Sequence, residues 1–163
     1  EAGADVTLVD LADYPLPFYD ADLEAAEGVP ANARAFRRLL SNHGGFLIAC
    51  PEYNGSVTAV LKNALDWCSR PVEGEDGLAA YRGKVAALVG TSIGPYGAVR
   101  AIGHLRAILS KVGTNVLAEE ATVPNAAGAF EADGKLKVAA LDQLARRIGA
   151  GLAHAVAGAG ARR

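Results

Sequence analysis

The chain has 163 residues, 51% of them hydrophobic and 21% charged, and a net charge of −2. That is one domain's length with enough apolar surface for a core, which excludes a disordered chain. The charge balance offers no basic footprint for nucleic acid, and no apolar run approaches the roughly 18 residues that would span a membrane.

In chain order, Val6-Thr7-Leu8-Val9-Asp10-Leu11 reads as a strand, being short, β-branched and followed by prolines. Tyr14 to Asp22 holds Pro15 and Pro17 and reads as a loop. Pro30 followed by Ala33, Phe36, Leu39 and Leu40 has helical spacing, and Gly44-Gly45 ends that helix. Arg34, Arg37 and Arg38 on it read as solvated charge. Phe46 to Cys50 is a continuous apolar run, as in a strand covered on both faces. Val57 to Trp67 is helical, with Trp67 either core or a subunit contact. Gly74 to Gly77 is a loop, Lys84 to Thr91 a buried strand, Ala98 to Val112 a helix and Asn115 to Val123 a strand. Leu136 to Val156 is a long final helix, and Gly158 to Arg163 a frayed tail. Strands separated by helices pair in parallel, giving a single domain over 1–163 with an open α/β sheet and helices on both faces.

Ligands of such sheets bind beyond the carboxyl ends of the strands. Two loops leave those ends. Pro51-Glu52-Tyr53-Asn54-Gly55-Ser56 combines turn formers with an aromatic, and Asn54 and Gly55 can take positive φ and turn amides outward. Ser56 suits an N-cap for the next helix, so the same residues also read as an ordinary strand-to-helix turn. Gly90-Thr91-Ser92-Ile93-Gly94-Pro95-Tyr96-Gly97 brings backbone close to a phosphate or ring edge. Its glycine spacing departs from the dinucleotide fingerprint, and Pro95 removes a donor. Glu119 and Glu120 lie where a ribose-binding acid would, or simply at a strand edge. His43, His104 and His154 read as surface or half-buried histidines, and Cys50 as a small core residue. No general base, nucleophile pair or metal cluster emerges, which suits a protein whose cofactor carries the chemistry.

Pro51-Glu52-Tyr53-Asn54-Gly55-Ser56 followed by Leu61-Lys62-Asn63-Ala64-Leu65-Asp66-Trp67 closely resembles the signature of the NAD(P)H-dependent FMN reductase family. The Pro-Leu-Pro stretch near Tyr14 to Phe18, the Ser92-x-Gly94-x-x-Gly97 loop and the element order agree with it. The resemblance implies a flavodoxin-like three-layer open parallel sheet of order 2-1-3-4-5. It implies FMN as cofactor, NAD(P)H as electron donor, and a small-molecule acceptor such as a quinone, flavin, azo dye or metal oxyanion. Pro51, Glu52, Tyr53, Asn54, Gly55 and Ser56 would lie along the ring, flanked by Thr91, Ser92, Gly94, Tyr96 and Gly97. No residue need act as a catalytic acid or base and no metal is implied. A homodimer or homotetramer in the cytoplasm is expected, with Asn63 and Trp67 near a subunit boundary; neither nucleic acid nor membrane is a partner.

Three features depart from the pattern. Thr58-Ala59 stands where the family commonly has Pro-Gly, and Ala98 where it has a glycine, which should restrict the turn slightly. The family's first strand and its Gly-Ser-x-Arg-x-x-Ser-x-Asn phosphate loop have no counterpart here. Val6 to Leu11 corresponds instead to the family's second strand. With no methionine in the chain and a start just ahead of that strand, the reading is that a βα unit of roughly 25–30 residues is omitted, the alternative being a true truncation that binds FMN weakly or not at all. Three other readings stay open: an electron-carrier flavodoxin, for which −2 is a small charge; a Rossmann-type NAD protein using the glycine loop; and an interaction protein that has lost its cofactor.

Overall fold

In the computed structural model, which describes residues 2–72 and 74–160, three parallel strands lie side by side in chain order. They are β1 (Gly45–Pro51), β2 (Val85–Thr91) and β3 (Asn115–Val123). Helices α1 (Ala21–Glu27), α2 (Ala31–Asn42), α3 (Ala59–Cys68), α4 (Val99–Lys111), α5 (Ala126–Ala129) and α6 (Ala139–Gly160) surround them. Parallel neighbours cannot be joined by tight turns, so α3 carries the chain from β1 to β2 and α4 from β2 to β3.

The pleat sorts residues between two layers. Phe46, Ile48 and Cys50 pair with Ala86, Leu88 and Gly90. This face packs on Phe36 of α2, Leu61 and Leu65 of α3, and Ala101, Ile102 and Leu105 of α4. On the opposite face Ala87, Val89 and Ala121 pack on Leu144, Ile148 and Leu152 of α6. Gly90 lets α4 approach closely: a Cβ there would lie 2.9 Å from the Ala98 methyl. The α/β class with helices on both faces therefore holds.

Several expectations are corrected. β1 is not covered on both faces, because Leu47 is 53% exposed. α6 meets β1 at Gly45, against Leu152 and Val156, and Leu47 and Ala49 beyond it stay open. Val6 to Leu11 is not a strand: residues 4–10 pair with no neighbour among the described residues, and Val6 and Leu8 are 78% and 96% exposed. A strand needs a partner for its N–H and C=O groups, and here a groove of about 420 Å³ stands in the partner's place. Leu8, Val9 and Leu11 form one side of it, Ala49 and Pro51 of β1 the other, with Val60 and Leu61 below.

Within the expected Tyr14–Asp22 loop, Asp20 instead caps α1, accepting from the Asp22 and Leu23 amides at 2.7 and 3.1 Å. Part of the expected Gly74–Gly77 loop begins a 3-10 helix, Gly77–Ala80. Arg37 is not solvated charge but buried, donating to the carbonyls of Arg70, Asp76 and Gly77 at 2.6, 2.7 and 3.1 Å and pairing with Glu75 at 3.2 Å. Arg34 reaches the Val29 carbonyl, and Arg38 alone of the three is exposed. The final helix begins at Ala139, after a bridge between Phe130 and Leu136, and runs to Gly160; Ala161 to Arg163 of the expected tail lie outside the described residues.

Candidate functional site

The carboxyl ends of β1 and β2 deliver the two loops singled out above to one end of the sheet. Pro51 pairs with Thr91, and the Glu52 amide donates to the Thr91 carbonyl at 3.1 Å. The chain then reverses. The Tyr53 amide donates to the Ser56 carbonyl at 3.0 Å and the Ser56 amide returns to the Tyr53 carbonyl at 3.1 Å. Asn54 and Gly55 between them have φ of 50° and 78°, the signature of a tight type I′ turn. Their amides have no hydrogen-bond partner among the described residues. Ser56 does not cap α3. Thr58 does, accepting from the Leu61 amide at 3.3 Å, and the Ser56 hydroxyl instead shares a 2.9 Å hydrogen bond with His104 Nδ1 of α4.

Glu52 points inward to α4. Its carboxylate accepts from the amides of Arg100 and Ala101 at 3.1 and 3.2 Å and pairs with the Arg100 guanidinium at 3.3 Å. Its side chain is only 8% exposed, and burial alone would raise its pKa. The Ala101 amide and the Arg100 side chain and amide outweigh burial and hold the carboxyl below the ordinary glutamate range. A carboxylate at a helix N-terminus is electrostatically favourable, so Glu52 fastens the turn to α4.

The second loop is fastened from β3. The Thr91 hydroxyl donates to the Val123 carbonyl at 2.8 Å, the Asn125 amide to Gly94 at 3.1 Å and the Ala126 amide to Ser92 at 3.0 Å. The Ser92 hydroxyl is turned to the Gly94 carbonyl at 3.3 Å. Gly97 has φ +59° and sits where a Cβ would lie 2.8 Å from the Pro124 nitrogen. Gly97 is buried, yet its amide has no partner among the described residues. Gly94 meets nothing within 4 Å. Ala98 is left-handed at φ 75°, so the departure from glycine places a methyl in a conformation costing roughly 1–2 kcal/mol.

The expected residues thus separate. Asn54, Gly55, Gly94 and Gly97 present backbone donors; Tyr53 and Tyr96 are 64% and 60% exposed at the rim, the latter under the Arg100 guanidinium at 4.6 Å. Glu52, Ser56, Thr91 and Ser92 spend their side chains on bracing the loops. Pro51 ends β1. Glu119 and Glu120 sit within β3, paired with Arg147 and Arg106 at 2.7 and 2.6 Å, away from the strand's end. Cys50 and Cys68 are buried free thiols, with burial pushing Cys68 up to about 12, so neither is a thiolate nucleophile at neutral pH. No cluster able to hold a metal ion occurs among the described residues.

His104 and the Pro124–Asn125 junction are site residues that sequence reasoning missed. They lie 48 and about 30 residues from the groups they touch, and no local pattern links them. Fold and donors together suit a planar, acceptor-rich ligand: two loops at the same end of the sheet carry amides without partners among the described residues, and the glycines add no side chains there.

The family model described as NADPH-dependent FMN reductase matches residues 1–128. An NAD(P)H-dependent FMN reductase of Pseudomonas aeruginosa is 38% identical over 147 residues, 90% of this chain and 73% of that protein. A 2-hydroxy-1,4-benzoquinone reductase of a Burkholderia species is 44% identical over 93 residues, 57% of this chain and 48% of its own length. Among solved structures, a flavoenzyme NAD(P)H:(acceptor) oxidoreductase of Paracoccus denitrificans superposes with a TM-score of 0.67 at 32% identity, covering 90% of this chain and 74% of that one. The chain therefore spans about three quarters of some relatives and about half of others.

Proposed function

Since the chain belongs to the NADPH-dependent FMN reductase family, we propose that it is an FMN-dependent oxidoreductase passing electrons from NAD(P)H to a small acceptor of the quinone, flavin, azo-dye or metal-oxyanion class. The observation that carries this is the pair of loops at one end of the sheet, fastened by contacts to α4 and β3, with the amides of Asn54, Gly55 and Gly97 unpaired among the described residues. FMN, when bound there, supplies the hydride-accepting and hydride-donating chemistry.

The chain's own part is to hold and to orient. Asn54, Gly55, Gly94 and Gly97 would donate backbone hydrogen bonds to the ring, and fixed donors of this kind need no reorganisation as charge develops. Glu52 and the Thr91 hydroxyl keep the two loops in register. Tyr53 and Tyr96, exposed at the rim, would flank stacking substrates and limit water there. No side chain is assigned a proton-transfer step.

The phosphate end calls for a further element. We place a strand in the groove between Leu8 and β1, giving the order 2-1-3-4-5 in which the sheet's open edge is paired. The exposed Ile93, Tyr96, Tyr53 and Val99 support a homodimer or homotetramer closing over the rim. The two free thiols suit a reducing, cytoplasmic setting; no described helix is long and apolar enough to cross a membrane.

Purified full-length protein will be yellow, or will become so with FMN, and NADPH without oxygen will bleach that colour. A protein that takes up no FMN, or whose flavin stays oxidised under NADPH, contradicts the assignment.

A further inference from the structure

His104 lies on the exposed side of α4 and carries one interaction of note, the 2.9 Å hydrogen bond from Nδ1 to Ser56 Oγ. Ser56 closes the turn that displays Asn54 and Gly55. The opposite stem of that turn, at Glu52, is bound to Arg100 and Ala101. His104 lies four residues after Arg100 and three after Ala101, one helical turn further along α4. The turn is thus held at both stems by the first two turns of one helix. That helix begins where the second loop ends, at Ala98 and Val99, so both loops take their position from α4. Gly55 reinforces the arrangement: its Cα side faces the Arg100 side chain, with 3.6 Å between a Cβ and Cδ.

We propose that His104 is a positioning residue for the cofactor, acting through Ser56 to fix the aim of the Asn54 and Gly55 amides. This rests on the flavin reading above. The Glu52 stem is secured by three side-chain hydrogen bonds and by its amide's bond to Thr91, whereas among the described residues the Ser56 stem has this one side-chain bond beyond the turn's own pair. Removing it lets the turn pivot about Glu52. Two consequences follow from the direction in which amides act. Ring binding weakens as the donors lose alignment. The bound ring's midpoint potential falls, because donors favour its more electron-rich form.

The test uses full-length protein carrying His104→Ala, Ser56→Ala, both together, or His104→Asn, whose amide reaches roughly as far as Nδ1. FMN affinity and the midpoint potential of bound FMN are measured for each. His104→Ala and Ser56→Ala should each weaken FMN about three- to tenfold, the range expected for one hydrogen bond, and lower the potential. The double variant should match the singles, and His104→Asn should recover most of both losses. Thermal midpoints should stay within about 2 °C, since His104 is exposed and braces only a turn. Wild-type affinity and potential in His104→Ala, or additive losses in the double variant, overturn the proposal while the flavin reading stands. Wild-type protein that binds no FMN removes the flavin reading and this proposal with it.

Discussion

Gly94 and Gly97 are alike in the sequence and differ in what they do. Gly97 is required by the fold: its left-handed φ and the 2.8 Å approach of the Pro124 nitrogen leave no room for a side chain. Gly94 meets nothing within 4 Å and its φ lies outside the left-handed region, so nothing in the described structure itself requires a glycine there. Gly97→Ala should lower unfolding stability by at least about 2 kcal/mol, from left-handed strain plus overlap with backbone. Gly94→Ala should change stability by less than about 1 kcal/mol and still weaken FMN binding. Urea denaturation beside an FMN titration separates the two; a Gly97→Ala protein as stable as wild type contradicts this account.

At the scale of elements, α3 shows why the Lys62-Asn63-Ala64-Leu65-Asp66-Trp67 motif reads so clearly. Asn63 accepts from the Tyr19 amide and donates to the Pro17 carbonyl, both at 2.8 Å. Trp67, buried against Val29 and Ala33, donates from Nε1 to that same carbonyl at 2.8 Å and meets the Tyr19 ring edge-on at 5.0 Å. Asn63 and Trp67 therefore staple the proline-rich segment to the helix, and Trp67 is core. Asn63→Ala should cost about 1–3 kcal/mol by leaving a backbone donor unpaired; an unchanged urea midpoint would show that the staple is idle. Local patterns made most of the fold legible. β3 falls on Asn115–Val123 as its apolar pattern indicates, and the other strands and crossover helices shift by a residue or two at their ends. The turn residues Asn54 and Gly55 declare positive φ by their chemistry, and they adopt it. What stayed hidden depends on distant partners. Arg37 looked solvated because the carbonyls that bury it lie 33 to 40 residues on. That the Glu52 and Ser56 side chains bond α4 could not be read locally, because nothing nearby in sequence marks that helix as their destination.

For the whole molecule, several unmet surfaces lie about β1. β1 has an open edge, Leu47 and Ala49 lack a helix above them, and Val6 and Leu8 face solvent across the groove. One strand with its crossover helix would pair the edge and cover the apolar face, which is the basis for placing it there. Protein isolated from its native source should then exceed 16.7 kDa by the mass of roughly 25–30 residues. A native mass of 16.7 kDa refutes this placement. The account as a whole rests on backbone donors at the carboxyl end of the sheet receiving a flavin ring. Amide-resolved NMR of the full-length protein titrated with FMN tests that most directly. Saturation should move the amide signals of Asn54, Gly55, Gly94 and Gly97 together while those of the α6 face stay put; saturable FMN binding that leaves these four unmoved would contradict the account.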